Sequence, residues 1–248
     1  MFAAMSEAAM SEATTDIKVI SGGAFKQVLN ALAAQYEKTS GSKLDLTYRT
    51  VGQHLQLIES GEESFDVAVL TPEAIDRLIK DGKVVAGSRA DLARTGVGVV
   101  VRAGAPLPDI SSVDAFKRTL MAAKSVAYID PAAGGSSGIY VGKLLERLGI
   151  AKDVNAKAKL IHGGAVADHI ADGEAEIGIH QISEILAVKG AVLVGPLPAD
   201  IQNFTVYSAG VGTAAKDGAK DTASALVKFL AGSHAGPIIK AKGMEPAS

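Results

Sequence analysis

The sequence predicts an α/β protein folded as two lobes with mainly parallel sheets. Three observations carry this. From Asp16 onward, short β-rich apolar runs alternate with segments of helical period, the pattern of βαβ units laid into a sheet. The alternation falls into two series, each opening on a strand that runs into small residues and then a helix. Two extended runs, Val97–Val101 and Phe204–Ala209, join the series and imply a double crossover. On this reading residues 16–100 with 205–248 make a discontinuous first lobe. Residues 101–204 make the second, and residues 1–15 a flexible tail.

In the first series, Ile17–Ile20 reads as a strand. After Ser21-Gly22-Gly23, apolar Phe25, Val28, Leu29, Leu32 and Tyr36 recur at helical spacing until Gly41. Leu44–Tyr48 alternates like a strand, and Gly52–Ile58 reads as a helix closing at Gly61. Phe65–Leu70 is almost wholly apolar, as a strand buried on both faces should be. Thr71-Pro72-Glu73 starts a helix with a capping hydroxyl, proline in the first turn and an early acid; Gly82 ends it.

The second series opens with Ser111 and Asp114, spaced as a capping box before Phe116 and Leu120. Ser125–Ile129 is a strand, Asp130–Gly138 a Gly/Ser-rich loop, and Val141, Leu144, Leu145 and Leu148 mark the following helix. Lys159–Ile161 and Glu176–Gln181 read as strands flanking a short helix over Gly164–Ala171. Ala191–Val194 and Phe204–Ala209 add two strands. Ala223, Leu226, Val227 and Leu230 recur at helical spacing, and a short helix after Pro237 ends at Gly243.

Composition removes several functional classes. Lys and Arg number 25 against 27 Asp and Glu, a net charge of -2, so no basic excess meets a nucleic-acid backbone. No apolar stretch approaches the about 18 residues that a membrane-spanning helix needs. Cysteine is absent, which excludes disulfides, thiol nucleophiles and thiolate metal sites. The segment MFAAMSEAAMSEATT carries neither a basic start nor an apolar run of the kind that makes a secretory signal. The chain is therefore expected in the cytoplasm if Met1 is the native start, and elsewhere only if a leader has been removed.

Two motif matches fail on their surroundings. Gly134-x-Ser136-x-Gly138 fits a nucleophile elbow, but four residues separate it from its strand, and Asp168 adjoins His169 too closely to orient that imidazole. Gly210-x-Gly212-x-x-Ala215 follows a strand, but the 33 residues after it are too few for a dinucleotide-binding unit. The histidines His54, His162, His169, His180 and His234 show no close metal-binding pair, so neither metal nor cofactor is expected. The repeated feature is stronger. Ser21-Gly22-Gly23-Ala24, Thr50-Val51-Gly52, Gly135-Ser136-Ser137-Gly138 and His162-Gly163-Gly164 each lie between a strand and a helix. Small residues there leave backbone N–H groups open to a ligand at the positive end of a helix.

The segments Phe25–Gly41 (FKQVLNALAAQYEKTSG), Gly61–Lys80 with FDVAVLTPEAIDRLIK, Asp130–Gly149 with SGIYVGKLLERLG, Gly173–Ser183 (GEAEIGIHQIS) and the ending GPIIKAKGMEP resemble the molybdate-binding-protein-like branch of the type II periplasmic solute-binding proteins. The resemblance runs from Ile17 to Pro246. It implies a two-lobed clamshell whose cleft closes on a small anion, in the periplasm, with the membrane subunits of an ABC-type importer as partners. Where molybdate binders place a hydroxyl in the first loop, this chain has Ala24, with Ser21 near it. Thr50 takes the second hydroxyl position beside Arg49, and Gln181, preceded by His180, stands where the family has a tyrosine.

Neutral donors suffice for molybdate, so a guanidinium at Arg49 points to a planar carboxylate, which its fork can hold with two bonds. The expected ligand shell is Ser21, Gly22, Gly23, Ala24, Arg49, Thr50, Ser136, Ser137, Gly138, Gly163, Gly164, His180 and Gln181. The leading expectation is an importer receptor for a small anion, with an organic di- or tricarboxylate ranked ahead of a molybdate-type oxyanion. The alternative is an enzyme on the same scaffold, of the aconitate isomerase type, with His54, His180 or His162 as its base.

Overall fold

The computed structural model describes residues 16–215 and 219–247; the expected tail over residues 1–15 lies outside them. In chain order the elements are β1 (Asp16–Gly22), α1 (Lys26–Ser40), β2 (Lys43–Arg49), α2 (Val51–Ser60), β3 (Val67–Leu70), α3 (Pro72–Lys80) and β4 (Ala90–Arg102). There follow α4 (Val113–Ala122), β5 (Val126–Ile129), α5 (Ser136–Arg147), α6 (Ala151–Asn155), β6 (Ala158–Ile161), α7 (Val166–Ala171), β7 (Ile177–Gln181) and α8 (Ile182–Ile185). The chain closes with β8 (Ala191–Pro196), β9 (Phe204–Val211), α9 (Ala219–Leu230), α10 (Gly236–Ala241) and β10 (Glu245–Pro246).

The strands run in the order β2-β1-β3-β9-β4-β7-β5-β6, with β8 and β10 also on β4. β1 is parallel to β2 and β3, and β5 is parallel to β6 and β7. β4 joins the two groups. Its residues Ala90–Gly96 pair antiparallel with β9, and Val97–Arg102 pair antiparallel with β7 and β8. The change of partner falls between Gly96 and Val97, where the Gln202 side chain bridges the ladder: Oε1 accepts from Val97 N and Nε2 donates to Val97 O, both at 2.9 Å. This is the two-lobed architecture expected from the alternation.

Each half-sheet is covered on both faces. β1 sends Val19 into the cluster of Phe25, Leu29, Leu32, Leu226 and Leu230, and Ile20 into that of Ile58, Phe65, Ile75 and Leu78. In the other half, Val126 and Tyr128 meet Phe116, Leu120, Leu144 and Leu145, while Ala127 and Ile129 meet Ile161, Val166 and Ile170. Buried apolar strands between helical layers are what parallel sheets require.

The structure corrects some boundaries. The cap of α4 is Ser112, which accepts from Ala115 N at 3.1 Å; Ser111 instead donates to Asp109 in the preceding turn. β4 begins seven residues before the expected strand, because a register shift between Asp91 and Ala93 breaks the alternation that would reveal it. α6 and α8, of five and four residues, are too short to show a period. β9 belongs to the first sheet alone, through β3 and β4.

Gly138, expected in the ligand shell, sits inside α5 and packs on β5. A Cβ there would lie 2.3 Å from the Ile129 carbonyl oxygen, a backbone atom that cannot yield. Gly138→Ala should cost about 1–3 kcal/mol of stability through overpacking, a fall in Tm on the order of 2–10 °C at this size. A melt within about 1 °C of wild type would contradict this account of the glycine.

Candidate functional site

Parallel strands point their carboxyl ends in one direction, and ligands in such sheets lie beyond those ends. Here β1, β2, β5 and β6 deliver their following loops to a single cleft of about 460 Å³. Its lining includes Gly22 and Gly23 from the first loop, Arg49 and Thr50 from the second, Ser136 and Ser137 from the third and Gly163 and Gly164 from the fourth. His180 and Gln181, at the end of β7, complete the expected residues that reach it.

The remaining expected residues lie elsewhere. Ser21 is buried beneath the first loop, its hydroxyl donating to the Gly22 carbonyl at 3.1 Å. Ala24 is buried and offers its carbonyl to Ser183 Oγ at 2.9 Å. His54 is wholly buried on the inner face of α2; its Nε2 lies 3.1 Å from the Ser21 carbonyl and its Nδ1 2.6 Å from Glu63 Oε2. His162 turns outward, 78% exposed, 3.2 Å from Asp130.

Thr50 lines the cleft, but its hydroxyl is already engaged. It caps α2 by accepting from Gln53 N at 3.2 Å, while Gln53 Oε1 accepts from Thr50 N at 3.1 Å. Its own hydrogen goes to the Ala133 carbonyl in the opposite half of the molecule. Two further bonds cross the same gap: Gly52 N to Gly134 O at 3.1 Å and Gln53 Nε2 to His162 O at 3.2 Å. A Cβ on Gly134 would lie 2.6 Å from Gly52 Cα, so backbone meets backbone there only because both residues lack side chains. The two halves are thus latched on one side of the cleft.

The lining also includes Lys26, Tyr48, Gln53, Glu184 and Tyr207, which the sequence reading did not single out as site residues, and Asp168, which it considered only beside His169. Glu184 extends from α8 to place Oε2 3.2 Å from His180 Nε2, with Oε1 2.6 Å from where a Cβ on Gly23 would stand. Its side chain is 16% exposed. Loss of solvent pushes this carboxyl up to about 8, against an opposing pull from Lys26. The same loss of solvent pushes the His180 imidazole down to about 3. Near neutral pH the pair is therefore an uncharged imidazole beside a carboxyl that still holds its proton.

Tyr207 donates to Gln181 Oε1 at 3.2 Å, and its phenol is raised above the ordinary value chiefly by burial, with Glu184 adding to the effect. His180 Nδ1 and Gln181 Nε2 are buried without a hydrogen-bond partner. Unsatisfied buried polar atoms are rare in folded proteins and call for an explanation. Glu184 follows His180 by four residues, a spacing that announces a pair only within a helix. Here that spacing spans a strand end and a single turn. Among the described residues no cluster of His, Asp and Glu could hold a metal ion, and no helix is long and apolar enough to cross a membrane.

The geometry defines a two-lobed α/β protein with a cleft between its halves, the architecture of the solute-binding proteins to which the comparisons point. The profile described as "Bacterial extracellular solute-binding protein" matches residues 17–245, and the chain belongs to that family. An aconitate isomerase from Pseudomonas sp is 36% identical over 241 residues, spanning 95% of this chain and 90% of that protein. The molybdate-binding protein ModA of Azotobacter vinelandii is 28% identical over 237 residues, spanning 92% and 89%. The structure of the A. vinelandii periplasmic molybdate-binding protein superposes with a TM-score of 0.75 at 21% identity, covering 94% of this chain and 100% of that one. The resemblance to molybdate-binding-like proteins noted in the sequence is borne out.

The two floor groups make opposite demands on pH. Glu184 rises from 4.5 to about 8 on folding, so its contribution to stability is full below pH 4.5 and is lost as pH climbs to about 8. His180 falls from 6.5 to about 3, so its contribution is full above pH 6.5 and is lost as pH drops to about 3. Between 4.5 and 6.5 the slopes oppose each other, and above 6.5 the carboxyl acts alone. Melting curves should therefore show the wild type losing Tm from pH 6.5 to 8, and Glu184→Gln losing much less over that interval. Parallel curves for the two proteins would contradict the assignment.

Proposed function

We propose that the cleft binds a small organic polycarboxylate and moves a proton between two of its carbons, as an isomerase of the aconitate type. The observation that carries this reading is the desolvated Glu184–His180 pair on the cleft floor. A general base works best with a pKa near the working pH, and a carboxyl raised to about 8 meets that condition. The similarity to aconitate isomerase supports the choice of substrate. In this reading residues 16–100 with 205–248 form one lobe and 101–204 the other, with β4 running through both.

The roles divide by position. Arg49 at the rim and the first turn of α5, with the Ser136 and Ser137 hydroxyls, hold carboxylate groups. The α5 N-terminus stabilises the enolate-like charge that appears when an allylic proton leaves. Glu184, in its ionised fraction, takes that proton from one carbon and returns it to the carbon at the other end of the allyl system. No atom is gained or lost, and the double bond moves by one position. His180 lies behind Glu184, within reach of a proton on its carboxyl.

Following cis- and trans-aconitate by proton NMR tests the chemistry directly. Interconversion that disappears in Glu184→Gln supports the reading, and binding without interconversion removes it. The second reading is that of an importer receptor, favoured by membership in a solute-binding family. Calorimetry against aconitate, citrate, sulfate and molybdate separates the two. A receptor binds one of these with Kd well below about 1 mM and turns none over. In both readings Arg49→Ala should weaken carboxylate binding by about 1.5–3 kcal/mol, the worth of a hydrogen bond to a charged group. That is roughly tenfold to a hundred-and-fifty-fold in Kd, with Arg49→Lys intermediate because it keeps charge but loses the fork.

A further inference from the structure

The junction between β2 and α2 is one of the four strand-to-helix turns that the sequence marks as ready for an anion, yet the protein fills it itself. Thr50 N donates to Gln53 Oε1 at 3.1 Å and Gln53 N to Thr50 Oγ1 at 3.2 Å, which closes the cap of α2. The Thr50 hydroxyl and Gly52 N then reach the consecutive carbonyls of Ala133 and Gly134 across the gap. Carbonyl oxygens of the opposite half thus take donors that an anion at this helix start would need. An anion could reclaim them only by parting the halves.

The same contact limits how far the halves approach. A Cβ on Gly52 would stand 2.7 Å from Gly134 Cα, and one on Gly134 2.6 Å from Gly52 Cα, so the two backbones already touch. The halves also share β4 and meet behind the floor, where Ser183 Oγ donates to the Ala24 carbonyl at 2.9 Å. Held at both places, they cannot close further without driving Gly52 into Gly134. The cleft between these contacts measures about 460 Å³. Four oxygens, at the roughly 30 Å³ that each water takes in the liquid, come to about 120 Å³. A tetrahedral oxyanion would fill about a quarter of that room and rest on one half.

We infer that Gly52 and Gly134 form a stop that fixes the width of the cleft, so that the site takes a carbon-chain polycarboxylate bridging both halves rather than a lone tetrahedral oxyanion. A clamp whose jaws meet only the ligand adapts its width to whatever it holds. A clamp whose jaws meet each other first selects by length, because a short ligand gains contacts from one jaw alone. The ligand class rests on the polycarboxylate reading above, whereas the stop stands on the backbone contact.

The test is calorimetry on the full chain with trans-aconitate and, as the short tetrahedral anion, sulfate. Gly52→Ala adds a carbon where the stop has no room and wedges the halves apart. Gly52 lies in the first turn of α2 without a left-handed backbone, so alanine suits the helix itself. A ligand that bridges the halves must overcome the wedge, and trans-aconitate should weaken about fivefold to a hundredfold, the overpacking range converted to affinity. Sulfate, resting on one half, should change by less than about twofold. Thr50→Val loosens the latch without a wedge and should weaken trans-aconitate alone, by about threefold to tenfold; it decides the matter should Gly52→Ala fail to fold. Equal loss for both anions marks the junction as an ordinary anion site and overturns the stop. So does a Gly52→Ala protein that binds and converts trans-aconitate as wild type does, with the isomerase reading left intact. Wild type that binds trans-aconitate without interconverting it removes the isomerase and leaves the stop standing. Wild type that binds sulfate more tightly than trans-aconitate removes both.

Discussion

Strand β4 changes partners between Gly96 and Val97, and the geometry of the cleft depends on that exchange. One strand serves two sheets, so the loops after β1 and β2 face those after β5 and β6 across a narrow gap. A separate linker would leave the halves free to face in other directions. The Gln202 amide completes the ladder where β9 ends and β7 begins, so the strand passes from one sheet to the other without an unsatisfied backbone group. The latch at Thr50, Gly52 and Gln53 holds the halves together on one side of the cleft.

Closing this gap removes water from whatever lines it, and two kinds of group respond differently. Backbone N–H groups at a helix start cannot change charge on losing solvent, and their pull on an anion that replaces the water is stronger for the lower dielectric. Ionisable side chains move toward their neutral forms instead. Glu184 and His180 show the second response in opposite directions, one keeping a proton and the other refusing one. An anion pocket with a protonated carboxyl on its floor differs from one lined by hydroxyls alone. In the proposed function it exchanges a proton with what it binds.

How much of this was legible follows from the range over which each signal acts. The longer helices, the cap at Thr71, and the strands buried on both faces depend on residues within one or two turns, and the sequence exposed them, whereas the capping role of Thr50 went unread. Strand Ala90–Gly96 escaped because its bulge breaks the two-residue period on which recognition relies. His54 could have been placed: Val51, His54 and Ile58 lie at helical spacing, which puts the imidazole on the buried face of α2. Glu184 could not. Its neighbours Gly23 and Tyr207 are distant from it in sequence and meet it only in the folded chain. The Thr50 hydroxyl had an equally remote commitment, to Ala133.

The Gly- and Ser-rich loops are the least specific part of the site, since any small anion can use a row of N–H donors. Selection by charge must come from side chains, and there the charges conflict: Arg49 and Lys26 favour an anion, whereas Asp168 and Glu184 oppose one. The conflict is reduced when Glu184 holds its proton, so a bound anion and that proton favour each other, and by linkage each raises the affinity for the other. In the proposed reaction the base is the minor, ionised fraction of Glu184, and the same coupling draws the substrate's proton onto it. As the substrate gives up its proton, Glu184 becomes neutral just as negative charge spreads over the ligand beside Arg49 and the first turn of α5. The like-charge repulsion that would resist substrate binding is thereby relieved along the reaction coordinate, which is the differential stabilisation that catalysis requires.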